Sequence, residues 1–334
     1  MRILVADTFP QESREGLIRR GHECHYEPAT TSDQLPSALT GFDAVIVRST
    51  KVTAEAFEAA DSLRLVIRAG SGTNTIDCHA ANLHGVYVCN VPGRNAAAVA
   101  ELTLGLLLAI DRRIPDNVAD LRQGRWNKSD YSRARGILGR KVGILGLGQI
   151  GLAFAERVAA FGAEVYAVAK EGRDERTLER TRRIGITFVD SPETLAATCD
   201  VLSVHVPANA GTRGLVGRSL LDALQPGAIV LNTARGDVLD EDALLDAMDT
   251  KDVRAGLDVF SGEPATGAGT FDSTLTRHPN VYGTHHIGAS TEQAQQAVAD
   301  GVVEIVDAFD AGTVLNCVSH PSGEVTELHP GGVS

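Results

Sequence analysis

The sequence predicts an α/β protein built from two doubly wound, parallel-sheet domains. Three observations predict it. Short apolar runs alternate with helical stretches from the first residues onward, the alternation comes in two series with the second opening near residue 141, and a glycine-rich turn follows the first run of that second series. Strands separated by helices imply parallel βαβ units. A length of 334 residues is ample for two domains with separate cores.

In the first series, residues 3–6 read as a strand, 11–20 as an amphipathic helix, 44–47 as a strand, 54–60 as a helix and 65–67 as a third strand. In the second, residues 142–145, 165–169, 201–204, 229–232 and 255–259 are strand candidates, which makes this domain the larger. Residues 95–113 form a long helix candidate, apolar on nearly every face. Such a helix is either a core helix or one buried between domains or subunits. Residues 319–334 mix Pro, Gly, Ser and charge without periodicity and read as a tail.

Hydrophobic residues make up 43% of the chain and charged residues 22%, the range of a globular protein. A net charge of −12 argues against a nucleic-acid surface or an anionic membrane as partner, since both need clustered cations; a small anionic substrate meets only local charge. The cysteines Cys24, Cys78, Cys89, Cys199 and Cys317 show no CxxC pair and no metal-ligand spacing. They read as free thiols in a reducing compartment, and no metal is expected. Residues 1–7 read as a strand and not as a signal peptide, and the longest apolar run, 102–110, is half of what spans a bilayer. A cytoplasmic protein is expected.

Gly146-Leu147-Gly148-Gln149-Ile150-Gly151 matches GxGxxG. The pattern alone is weak, because a chain this rich in glycine produces it by chance about once in three sequences. Its position decides: it follows the apolar run 142–145 and opens a helix, the strand–turn–helix of a Rossmann-type dinucleotide site. Gly146 would make the turn, Gly148 would admit the pyrophosphate, and Gly151 would let the helix pack on the sheet. The free N–H groups of the first turn, at Gln149 and Ile150, would meet the negative charge. The next strand should end in an acidic residue for the adenosine ribose, yet it ends at Ala169, followed by Lys170 with Arg173 and Arg176 nearby. This leaves NAD or NADP as the cofactor, leaning to NADP, with Glu171 and Asp174 diluting the cations.

Three further segments carry acid–base groups: Asn232-Thr233-Ala234-Arg235-Gly236, then Gly256-Leu257-Asp258-Val259-Phe260-Ser261-Gly262-Glu263-Pro264, then Thr284-His285-His286-Ile287-Gly288-Ala289-Ser290-Thr291. In this order, downstream of the glycine turn, the chain resembles the D-2-hydroxyacid dehydrogenase family over residues 3–316. Within it the likeness is nearest to the phosphoglycerate dehydrogenases. The resemblance implies that Arg235 holds the substrate carboxylate and carbonyl oxygen, a task suited to the guanidinium fork. It makes His286 the acid–base group and Glu263 the partner that fixes its tautomer. Asp258 would face the nicotinamide carboxamide, and His205, Pro207 and Thr233 would also line the cofactor, alongside Arg235 and His286. Residues 68–74, Arg68-Ala69-Gly70-Ser71-Gly72-Thr73-Asn74, resemble the substrate loop, with carboxylate contacts at Ser71 and Gly72. Thr73-Asn74 departs from the family's acidic–amide pair, and His285 stands where Pro is usual.

For a phosphorylated substrate the resemblance points to Arg48, Arg68 and Lys128, the last reaching in from a neighbouring subunit. It also implies the domain plan. Residues 1–97 and 290–318 would form a flavodoxin-like substrate domain, residues 98–289 the Rossmann-type cofactor domain, and residues 319–334 a tail. A cleft between the domains and a homodimer built partly on residues 95–113 and the segment after them are expected. The long C-terminal regulatory domains of some relatives are not seen after Asn316, so feedback inhibition by serine through one is not expected. The implied reaction is oxidation of D-3-phosphoglycerate to 3-phosphohydroxypyruvate. The alternatives are a glyoxylate/hydroxypyruvate reductase of the same family and a non-enzymatic, dinucleotide-sensing protein like the family's corepressors. A substrate-dependent change in reduced-cofactor absorbance separates the last from the enzymes.

Overall fold

The computed structural model describes residues 1–264 and 269–321. In chain order its strands are β1 (Arg2–Val5), β2 (Glu23–Tyr26), β3 (Ala44–Val47), β4 (Leu65–Arg68), β5 (Tyr87–Asn90), β6 (Lys141–Leu145), β7 (Glu164–Val168), β8 (Thr187–Val189), β9 (Val201–Val204), β10 (Ile229–Asn232), β11 (Arg254–Leu257), β12 (Val281–Gly283) and β13 (Cys317–Ser319). The chain divides into two compact units, Met1–Asn95 with the segment from Ser290 on, and Ala96–Ala289.

The first unit holds a sheet in the order β13-β5-β4-β3-β1-β2, parallel throughout except for β13, which runs antiparallel to β5. Its parallel part has the flavodoxin-like order, and the order reverses between β1 and β3. Every residue of β3 is buried, as in a strand covered on both faces. On one face Ile3, Val5, Ile46 and Ile67 pack with Val298, Val302 and Ile305 of the helix Glu292–Asp310. Leu4, Val45 and Val66 meet Leu35 and Phe57 on the other face.

The second unit holds seven parallel strands in the order β12-β11-β10-β9-β6-β7-β8, the Rossmann order with its reversal between β6 and β9. The helix Ala96–Arg112 resolves the two readings of residues 95–113 in favour of the core for one stripe. Its Leu106, Leu107 and Ile110 pack with Phe154 and Val158 on Val142, Ile144, Val201 and Leu231, while Leu102, Leu104 and Leu108 are only partly buried.

The apolar pattern did not reveal β2, β8, β12 and β13, and these are the four sheet edges. An edge strand has one neighbour and little burial, so it needs no apolar run. β5 was missed too, since only its Val88 and Cys89 are buried. Ser319 closes β13 and is not part of a tail, whose remaining residues 322–334 lie outside those described. Among the described residues no helix is long and apolar enough to cross a membrane, and no cluster of His, Cys, Asp or Glu could hold a metal ion.

Candidate active site

The glycine turn joins β6 to the helix Gln149–Ala160, at the point where the strand order reverses. Gly146 takes φ 104°, and a Cβ there would stand 2.6 Å from the carbonyl oxygen of His205. A Cβ on Gly151 would strike the carbonyl of Gly146 and approach Ile144, so only glycine lets this helix lie on the strand. Gly148, the N-cap, has no protein atom within 4 Å of where its Cβ would be and contributes no side-chain cap. The turn leaves Gly148 and Gln149 exposed at the start of the helix, where first-turn N–H groups have no intrahelical partner, which fits a dinucleotide pyrophosphate. His205 follows β9, and its N–H bonds to Leu145 O at 2.8 Å. Its ring Nε2 meets Ser203 Oγ at 2.8 Å, and burial pulls its pKa down to about 3, so the ring is neutral. Pro207 lies two residues on, its carbonyl accepting from Thr212.

Ala169 follows β7 and pairs its N–H with Val189 O. Arg173 folds back over the same strand end, donating to Val168 O at 2.7 Å and to Lys170 O at 3.2 Å, with its guanidinium 5.1 Å from the Phe188 ring centre. Burial lowers its pKa, yet it stays charged. A cation thus occupies the strand end at which a ribose-binding carboxylate was sought, and Lys170 beside it is exposed.

The loops after β10, β11 and β12 bring Arg235, Glu263 and His286 together. Buried Asn232 shapes the first: its Oδ1 accepts from Ala234 N at 3.0 Å and its Nδ2 donates to Arg235 O at 2.9 Å. Gly236 then packs on the backbone of Phe260 so closely that a Cβ would collide with it, which joins the first loop to the second. In the second, the Phe260 N–H donates to Glu263 Oε1 at 2.7 Å. The other carboxylate oxygen lies 2.6 Å from His286 Nδ1. Burial alone would push the Glu263 carboxyl up; the hydrogen bonds from His286 and Phe260, with the charges of His286 and Arg235, outweigh it and hold it below its usual range. Glu263 is therefore ionised near neutrality. With Nδ1 bonded to it, the free nitrogen of His286 is Nε2, on a side chain 50% exposed. Burial lowers the Arg235 pKa and Glu263 opposes that, leaving the guanidinium charged. This is an acid–base pair with an anion clamp beside it, able to hold a carboxylate and exchange a proton at Nε2.

Two residues assigned to the cofactor have inward-facing side chains. Asp258, 1% exposed, accepts from Thr284 Oγ1 at 2.6 Å, Ile287 N at 2.9 Å and Gly288 N at 2.8 Å, so its carboxylate fastens the His286 loop. Thr233 Oγ1 meets Thr103 Oγ1 at 2.9 Å, a buried bond to the helix Ala96–Arg112. Neither partner, Thr284 or Thr103, was singled out from the sequence; a polar residue in an apolar helix was the available signal for Thr103.

In the first unit Arg48 and Arg68 stand at the carboxyl ends of adjacent strands β3 and β4. Asp7 shapes the Arg48 loop, accepting from the N–H groups of Arg48, Ser49 and Thr50 at 2.6, 3.0 and 3.0 Å. Arg48 Nη2 lies 3.5 Å from Ser290 Oγ. The Arg68 guanidinium lies across Gly70, which takes φ 146° and leaves room for it only by lacking a Cβ. Asn90 Nδ2 donates to Ser71 O at 2.6 Å, and Ser71 Oγ reaches Val91 O and Asn95 Oδ1, both at 3.4 Å. Gly72 follows, partly buried. Asp7 and Asn90 are supports that the sequence reading missed. Lys128 is exposed, and its ammonium makes no ion pair among the described residues.

Residues 104–288 match the profile of the D-isomer specific 2-hydroxyacid dehydrogenase, NAD binding domain. The chain belongs to the D-isomer specific 2-hydroxyacid dehydrogenase family. It is 42% identical over 328 residues to a D-3-phosphoglycerate dehydrogenase of Mycobacterium bovis, covering 97% of this chain and 60% of that one. To a hydroxypyruvate reductase of Thermotoga maritima it is 36% identical over 307 residues, 91% of this chain and 96% of the relative. Among solved structures it is similar to the NADPH-dependent glyoxylate/hydroxypyruvate reductase of Sinorhizobium meliloti, with a TM-score of 0.81 and 30% identity over 95% of this chain and 97% of that one. The chain spans 60–62% of the length of the phosphoglycerate dehydrogenases it matches first.

Proposed function

We propose that this member of the family is an NAD(P)-dependent D-2-hydroxyacid dehydrogenase whose substrate is D-3-phosphoglycerate. The observation that carries the reading is the 2.6 Å contact of His286 with Glu263, beside the Arg235 guanidinium and in the same unit as an open glycine turn. Arg235 would take the substrate carboxylate in its fork of donors. The N–H groups of the loop at Ser71 and Gly72 would share that carboxylate. His286 Nε2 would receive the hydroxyl proton as the alcohol is oxidised and return it as the ketone is reduced. Glu263 would keep Nδ1 protonated and favour the imidazolium that results. A bound nicotinamide cofactor would supply the hydride acceptor for the carbinol carbon. Gly146, Gly148 and Gly151, with the N–H groups of Gln149 and Ile150, would hold its pyrophosphate; Ala169 and Lys170 would border its ribose, and His205 and Pro207 would complete its surroundings, while Asp258 would act from beneath by fastening the His286 loop. Arg48, Arg68 and a Lys128 from the neighbouring subunit would bind the distal phosphate.

The relative matched over 96% of its length is a hydroxypyruvate reductase, which supports reduction of an unphosphorylated acid as the second reading. Steady-state rates with 3-phosphoglycerate, glyoxylate and hydroxypyruvate, each with both cofactors, separate the two. A kcat/KM that favours hydroxypyruvate over the phosphorylated pair moves the assignment to the second reading. For the cofactor, Arg173 and Lys170 at a strand end without a carboxylate support acceptance of NADP. Ala169→Asp is then expected to shift preference toward NAD, because the new carboxylate accepts from the ribose hydroxyls and repels a 2′-phosphate. Wild-type preference for NAD by several orders of magnitude would refute this.

A further inference from the structure

Cys89 and Cys317 face each other across the antiparallel pair β5–β13. The neighbouring pair, Asn90 and Asn316, carries the ladder hydrogen bond, with Asn90 N–H donating to Asn316 O at 3.2 Å. The two cysteines are direct partners one residue on from that bond. The register shifts between Cys317 and Ser319, and Asn316 takes φ 51°, so the ladder is irregular here; the hydrogen bond between the two thiols is what brings the sulfurs together. Both thiols are free, and they share a hydrogen bond. We propose that Cys89 and Cys317 form a reversible intramolecular disulfide, a redox modification site that ties the last strand to β5.

The two sulfurs have unequal tasks. Cys89 is completely buried, whereas Cys317 is partly exposed at the sheet edge. The hydrogen bond from Cys89 holds the Cys317 thiol below its usual range and keeps Cys89 above it. Burial pushes Cys24 and Cys78 up, and Cys199 up to about 12, so the edge thiol is the reactive one. The Cys317 thiolate attacks one sulfur of a low-molecular-weight disulfide and displaces one small thiolate, leaving a mixed disulfide. Cys89 then attacks Cys317 Sγ, expels the second small thiolate and passes its proton to it. Two protein thiols are oxidised to one disulfide, one small disulfide is reduced to two thiols, and a dithiol reverses the exchange.

The site lies next to the supports of residues 68–74. Asn90, adjacent to Cys89, holds Ser71 O, while Ser319 Oγ donates to Cys78 O at 2.9 Å and Cys78 is hydrogen-bonded to Thr73. Oxidation is therefore expected to alter how the loop receives an acid. That effect rests on the proposed function of the loop; the disulfide itself does not.

The test equilibrates the full chain with glutathione and glutathione disulfide over a range of ratios, quenches with acid, alkylates, and maps peptides by mass spectrometry. A Cys89–Cys317 crosslink is expected, with two of the five thiols lost, and with its loss in Cys317→Ser. Cys89→Ser is expected to stop at a mixed disulfide on Cys317. Absence of the crosslink at every ratio overturns the proposal, as does a dominant Cys78–Cys317 link or a mixed disulfide on Cys317 that wild-type Cys89 never resolves. Oxidised wild type is also expected to show a several-fold change in KM for the acid at unchanged cofactor affinity, absent in Cys317→Ser. Crosslinking without that change would break only the connection to the loop.

Discussion

His286 has a left-handed backbone, φ 53°, in a region that costs a non-glycine residue of order 1–3 kcal/mol. What holds it there is Asp258: its carbonyl accepts the His286 N–H at 2.8 Å and its carboxylate takes the Ile287 and Gly288 N–H groups. The turn aims Nδ1 at Glu263 and leaves Nε2 outward. Replacing His286 with Gln should leave cofactor binding nearly intact and cut turnover by roughly 10²–10⁴, the usual worth of a positioned acid–base group. Arg235→Lys should also be severe, since an ammonium cannot reproduce the fork. Glu263→Gln acts differently. The carboxyl is held below its usual range in the wild type, so its charge is present throughout the neutral region and is what the substitution removes. Losing it disfavours the protonated imidazole, and the pH–rate profile should move to lower pH in both directions. Ketone reduction, which needs the imidazolium, should fall most near neutrality, while alcohol oxidation at high pH suffers less. An unmoved profile would show that Glu263 is not coupled to the base.

At the scale of the element, the glycine turn separates packing from binding. Gly151 cannot carry a methyl group without meeting the Gly146 carbonyl, so Gly151→Ala should destabilise by about 1–3 kcal/mol as well as weaken the dinucleotide. Gly148 has φ −72° and open space, so Gly148→Ala should leave thermal stability nearly unchanged and still weaken dinucleotide affinity. Melting curves and cofactor titration on the two variants check the split; equal losses of stability would defeat it. The same turn shows what sequence can carry. Buried parallel strands such as β3, β9 and β10 announce themselves because both faces are apolar, and a glycine motif is local by nature. Edge strands announce nothing, because solvent covers them. The supports were hidden for another reason. Asp7 serves a loop some forty residues away, as the bond to Arg48 shows, Asn90 serves Ser71, and Thr103 serves Thr233. Each is an ordinary polar residue whose partner is chosen by the fold, and no spacing in the chain records that choice.

For the whole molecule, a chain of net charge −12 would need local cations to take the proposed anionic substrate; the first unit offers Arg48 and Arg68 and the second Arg235, and the proposed dimer would add Lys128. The segment after the helix Ala96–Arg112 leaves large apolar side chains in water: Ile114 is 47% exposed, Leu121 56% and Trp126 81%. Such exposure is expected of a face that a second copy covers. Sedimentation at micromolar concentration should therefore give twice the chain mass of 35.2 kDa. If Lys128 acts across the interface, Lys128→Ala should raise KM for 3-phosphoglycerate by a factor of about 10–100, equivalent to the roughly 1.5–3 kcal/mol that a hydrogen bond to a charged group is worth. Mixing decides where it acts. A hybrid of one Lys128→Ala subunit and one His286→Gln subunit contains one site with an intact acid–base pair and, from the other subunit, an intact lysine. Each homodimer is defective, yet the hybrid should recover wild-type KM at half the sites. If lysine serves its own subunit, every hybrid site stays defective and KM does not recover. A monomer in sedimentation would remove the dimer and, with it, the role given to Lys128.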